Sequence, residues 1–118
     1  IESSGATNPV ALPGVEKPGP FTFDSQGRLY VMDFGPDKQV KVLDPAKANV
    51  VQTIGRKGGG REGWKYHQDG LNNVRGIAVD DRGYLWTTEG SNPHPRRQAV
   101  WDTEGKFVKD FVGSTWYA

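Results

Sequence analysis

The chain repeats itself. Set beside Ile77-Ala78-Val79-Asp80-Asp81-Arg82-Gly83-Tyr84-Leu85-Trp86, the segment Phe21-Thr22-Phe23-Asp24-Ser25-Gln26-Gly27-Arg28-Leu29-Tyr30 matches it in type and order. Asp24 meets Asp80, Gly27 meets Gly83, Leu29 meets Leu85 and Asp33 meets Glu89, each 56 positions on. Further along, Val42-Leu43-Asp44 faces Val100-Trp101-Asp102 and Gly55 faces Gly113, at an offset of 58. The slip falls in a loop, where Ser91-Asn92-Pro93-His94-Pro95 replaces the shorter Gly35-Pro36-Asp37. Loops absorb such insertions at little entropic cost. A repeat of this kind means one supersecondary unit used twice, with neighbours stacked to bury what a single unit cannot.

Each unit reads as four short strands. The first has them at 21–24, 28–33, 38–43 and 49–54, and the second at 75–79, 84–88, 97–102 and 106–112. Apolar alternation is plain in Val40-Lys41-Val42 and on both sides of the turn between Trp101 and Phe111. Asp24-Ser25-Gln26-Gly27, Asp80-Asp81-Arg82-Gly83 and Asp102-Thr103-Glu104-Gly105 place Asp first and Gly last, the type I pattern in which Asp caps the turn. Sixteen Gly and eight Pro suit a chain of many strands and tight turns. No stretch of ten or more residues carries a helical period, so the expectation is an all-β fold.

The second unit resembles an NHL repeat. The likeness rests on Val74-Arg75-Gly76-Ile77-Ala78-Val79-Asp80, Gly83-Tyr84-Leu85-Trp86, Arg97 to Asp102, and Gly105-Lys106-Phe107 to Phe111. Ile54-Gly55-Arg56-Lys57-Gly58-Gly59-Gly60 is similar to the Gly-rich stretch joining successive NHL blades. The first unit departs from the pattern at Phe21-Thr22-Phe23, where the family usually has Gly-Ile-Ala-Val. The resemblance implies β-propeller blades, two four-stranded antiparallel sheets from what is usually a six-bladed ring. On that division, residues 1–18 form an extended arm or part of a preceding blade and 19–56 the first blade. Residues 57–73 then form the interblade connector, and 74–118 the second blade with the start of the next connector. Pro9, Pro13, Pro18 and Pro20, within residues 1–20, favour an arm or an edge strand over a central one. Propellers close with about 4–8 blades. The two units therefore call for the remaining blades of a parent propeller or for further copies of the chain.

Composition narrows the chemistry. The 118 residues suffice for one hydrophobic core, and a formal net charge of +1 offers no general attraction to nucleic acid or anionic membrane. Four Trp, four Tyr and five Phe argue against disorder. Without Cys, disulfides, thiolate chemistry and Cys-based zinc or haem sites are excluded. No apolar run approaches the roughly 20 residues of a membrane-spanning helix. The start at Ile1 suggests a processed product, an excised piece or a fragment of a longer protein. The Gly, Asn and aromatic content without Cys would suit an exported bacterial protein, extracellular or periplasmic.

The candidate binding surface is the basic and aromatic stretch Arg56, Lys57, Arg61, Trp64, Lys65, Tyr66 and His67, with a glycine run inside it. Such a set can grip phosphates and stack rings. The same residues also suit a solvated interblade connector whose aromatics pack on a blade edge, and the sequence favours that alternative. No Lys-Ser or Lys-Thr pair or helix follows the glycines, so they do not form a phosphate-binding P-loop. His67 and His94 lack ligand spacing, and no metal site or cofactor is expected. Asp33 and Glu89 recur at equivalent places, which points to anchoring of structure over catalysis or cation binding. Arg96-Arg97 reads as a solvated strand start, and Trp116-Tyr117 as a truncated connector or a contact between copies. The function expected is a non-catalytic binding or scaffold module with a protein ligand, nucleic acid or glycan being alternatives. A fragment of a metal-dependent lactonase- or lyase-like propeller enzyme and a structural repeat of a secreted or cell-surface assembly are the competing readings.

Overall fold

The computed structural model describes residues 12–62, 65–90 and 96–113. β1 (Pro18–Phe23), β2 (Leu29–Asp33), β3 (Gln39–Asp44) and β4 (Asn49–Ile54) form one antiparallel sheet in chain order. A short hairpin follows, β5 (Arg61–Glu62) paired with β6 (Lys65–Tyr66). β7 (Val74–Val79), β8 (Leu85–Glu89), β9 (Arg97–Trp101) and β10 (Phe107–Val112) then make a second four-stranded antiparallel sheet. No helix occurs among the described residues, and the all-β expectation holds. β1 begins at Pro18, earlier than expected, with an irregularity before Phe21. It is an edge strand, where a residue without an N–H leaves no ladder bond broken.

The two sheets share one register. Leu29 pairs with Leu43 as Leu85 pairs with Trp101, and Pro18 pairs with Asp33 as Val74 pairs with Glu89. The turns explain why the repeat is so regular. Asp24 Oδ1 accepts the N–H groups of Gln26 and Arg28, each at 2.9 Å, while Gly27 N–H donates to Asp24 O at 3.1 Å. Asp80 does the same for Arg82 and Tyr84, and Asp102 for Glu104 and Lys106. The closing residues Gly27, Gly83 and Gly105 have φ of 82°, 85° and 82°, a conformation that costs glycine nothing. In the turn after β3 Asp44 Oδ1 accepts the N–H of Ala46, while Ala48 N–H donates to Asp44 O at 2.8 Å and Ala48 takes the left-handed position at φ 52°.

Packing is face to back. Successive residues of a strand point to opposite faces, so Tyr30, Met32, Val40, Val42 and Ile54 share one side of the first sheet. They are buried in one cluster with Leu85, Ala99 and Trp101 of the second sheet, joined by Leu71 and Val74. By the repeat, Leu85 and Trp101 correspond to Leu29 and Leu43, which lie on the opposite side of the first sheet. The front of the second sheet therefore sits on the back of the first.

Residues 12–17 run along the front of the first sheet. Lys41 Nζ donates to Gly14 O at 2.7 Å, and Glu16 and Lys17 donate their N–H groups to Asp33. Phe21 and Phe23 on that same front remain 63% and 56% exposed, edge to face at 6.2 Å. On the back of the second sheet Trp86 and Phe111 stack at 6.4 Å, and Phe111 is 51% exposed.

Candidate functional site

The stretch between the sheets is folded, although its glycines contribute no periodicity. Gly60 N–H donates to Leu71 O at 2.9 Å, His67 N–H to Gly60 O at 2.7 Å and Gly70 N–H to His67 O at 3.1 Å. Arg56 N–H bonds Asp69 O at 2.8 Å and closes the base. Gly70 is required by contact: a Cβ there would stand 2.5 Å from Gly59 O.

Arg97 pins this connector to the second sheet. Its guanidinium donates to Glu89 Oε2 at 2.8 Å, Asp110 Oδ2 at 2.8 Å, Gly70 O at 2.9 Å and Gln68 O. The expectation of a solvated Arg96-Arg97 pair is corrected by half. Arg96 is exposed, whereas Arg97 is 6% exposed because β9 alternates and its inward residue faces Glu89 across the ladder. The planar fork with its donors spread in fixed directions is suited to serving four acceptors at once.

Asp33 and Glu89, equivalent in the repeat and both buried, differ sharply in electrostatics. Burial alone would raise Asp33, but N–H donors from Lys17, Gly35 and Glu16 and the Lys41 ammonium outweigh it and hold the carboxyl near 2. Lys41 Nζ stands 2.9 Å away. Among the described residues Glu89 has one backbone donor, Asn72 N–H at 3.3 Å, and shares Arg97 with Asp110. Burial therefore prevails and pushes Glu89 up to about 7. Both carboxylates hold backbone from an incoming segment, residues 16–17 for Asp33 and Asn72 for Glu89.

Beside Arg97 the rim opens into adjoining hollows. One of about 250 Å³ is lined by Arg61, Tyr66, Asn72, Asn73, Glu89 and Val112, among others. A second, of about 220 Å³, is bounded by Met32, Phe34, Lys38 and Leu71 and shares Asn72 and Asn73 with the first. A third, about 510 Å³, extends past Arg75 and Gln98 to Phe111 on the back of the second sheet. The largest of these three thus belongs partly to the back of the second sheet.

Of the basic and aromatic residues singled out in the sequence, Arg61 and Tyr66 come together as cross-strand partners on this cleft. The Arg61 guanidinium carbon lies 5.6 Å from the Tyr66 ring centre and that of Arg97 5.9 Å. Arg56 borders a different depression, near Trp101 and Phe107, and Lys57 points toward Asp37 at 3.9 Å. Lys65 is exposed, and His67 contributes its backbone to the connector. Trp64 and His94 lie outside the described residues, as do Trp116 and Tyr117. Glu89, Arg97, Asn72 and Asn73 were not read as site residues. The available signal was register, since the repeat aligns Arg97 with Gln39, the residue opposite Asp33, and so sets it opposite Glu89.

Fold and site together define an all-β repeat protein, two like sheets stacked front to back with a cleft where their connector meets the second. No protein-family model matches the chain, and no curated protein matches it.

Proposed function

We propose that the chain is a non-catalytic interaction module made of two NHL-like propeller blades, which mediates macromolecular contacts and accepts further blades on its end faces. The observation that carries this reading is the front-to-back stacking. The front of one sheet has already been matched to the back of another within the chain. The part of the first sheet's front that residues 12–17 leave exposed, at Phe21 and Phe23, and the back of the second sheet, with Trp86 and Phe111, are then complementary to each other. Such a head-to-tail contact generates a ring when its rotation closes. The partner blades belong to the same polypeptide or to other copies, and either source covers the same surfaces.

Light scattering during size exclusion, over a concentration series, tests this directly. Burial of an exposed Phe contributes about 1.5–3 kcal/mol, so the isolated chain is expected to associate. Its mass should rise above 13.0 kDa with concentration, and Phe111→Asp should return it toward the monomer. A 13.0 kDa monomer that persists at every concentration overturns the proposal.

A further inference from the structure

We propose that the rim cleft formed by Phe34, Lys38, Asn72, Asn73, Arg61 and Tyr66 binds an extended acidic peptide segment. This rests on the interaction-module reading and names the partner of its rim, a surface separate from the two end faces.

The cleft has two compartments of similar size, about 220 and about 250 Å³, with Asn72 and Asn73 as their common wall. Each holds one half-exposed aromatic ring and one exposed cation: Phe34 (42%) with Lys38, and Tyr66 (46%) with Arg61. Among the described residues the one carboxylate that lines them, Glu89, is buried against Arg97. A ligand therefore meets positive charge at both ends. Lys38 and Asn73 are also two of the three non-glycine residues at positive φ among those described, at 50° and 52°. Backbone held in that region is uncommon outside glycine and recurs at functional sites.

The chemistry favours a peptide over a stacked base or sugar. The Tyr66 ring already carries Arg61 and Arg97 nearby, so it does not offer a vacant platform. A guanidinium resting on an aromatic ring keeps its N–H edge directed outward, ready for bidentate pairing with a carboxylate. The half-buried Asn72 side chain has both donors and an acceptor, the complement of a peptide group. The exposed part of the Phe34 ring suits the aliphatic part of a side chain between acidic ones.

The test uses the whole chain and three fluorescein-labelled probes: a peptide of alternating Glu and Val, the same peptide with Lys for Glu, and oligouridylate. Anisotropy titrations should show binding of the Glu peptide alone, weakening as salt rises because the contacts are charged and exposed. Lys38→Glu and Arg61→Glu should each weaken it by about tenfold or more, as reversed charge inside a cleft does. Lys38→Gln and Arg61→Gln should have smaller effects in the same order, and Lys106→Glu, away from the cleft, none. Tighter binding of oligouridylate, or Glu-peptide binding indifferent to Lys38 and Arg61, would overturn the peptide assignment. Self-association in light scattering would then still stand. Loss of self-association with peptide binding intact would instead overturn the blade reading.

Discussion

Asp33 and Glu89 occupy one place in two repeats, yet their surroundings shift them in opposite directions, and their amide variants should show it. Asp33 is held at about 2 against an ordinary 3.8. At about 1.36 kcal/mol per pKa unit that difference is worth roughly 2–3 kcal/mol. This stabilisation is present above 3.8 and disappears as pH falls through about 2. Glu89 stands at about 7 against 4.5, so the folded state takes up the proton that the unfolded chain has released. Its contribution is complete below 4.5 and is lost as pH rises through about 7, a change of about 3 kcal/mol. Asp33→Asn should therefore cost roughly 2–3 kcal/mol at pH 7 and progressively less toward pH 2. Glu89→Gln imitates the protonated acid, so at pH 5 it should stay within about 1 kcal/mol of the parent. At pH 8.5 it should be more stable than the parent by roughly 2–3 kcal/mol. Urea unfolding at each pH, followed by tryptophan fluorescence, measures both. A neutral Asp33→Asn at pH 7, or a Glu89→Gln that loses more at pH 8.5 than at pH 5, would refute the reasoning. The second result would mean that Arg97 keeps Glu89 charged.

Other substitutions test the packing and the turns. Trp101, 1% exposed at the centre of the shared core, should cost about 3–5 kcal/mol when changed to Ala, read from the urea midpoint. Ala48→Gly should stabilise by about 0.5–1 kcal/mol, because Ala48 pays for a left-handed φ that the other Asp turns give to glycine. Gly70→Ala should break the connector, since its Cβ would meet the Gly59 backbone; amide exchange at Gly60 and His67 should accelerate while the β8 and β9 amides stay protected.

The eight long strands and their turns were legible because their causes are local. Asp24, Asp80 and Asp102 bond amides two and four residues ahead, so each turn is specified within five residues. The start of β1 was less so: Pro18-Gly19-Pro20 reads as an arm until Pro18 is seen paired with Asp33 at a sheet edge. The β5–β6 hairpin could not be read from pattern, because two-residue strands have no period and Gly58, Gly59 and Gly60 look the same in a loop. Its fold depends on Arg97, thirty or so residues away, and on carbonyls of Gln68 and Gly70. Composition marks Arg61 and Tyr66 as candidates, but the groups that complete their cleft come from distant segments. Phe34 and Lys38 follow β2, Asn72 stands at the far end of the connector, and Glu89 ends β8.

Front-to-back stacking is the claim on which the rest stands, and proton NMR of the Trp101 indole tests it most directly. Nuclear Overhauser contacts from that ring should reach the methyl groups of Val40 and Val42, on the back of the first sheet. Contacts to Val31 and Leu43 instead would place Trp101 on the front of that sheet and contradict the account.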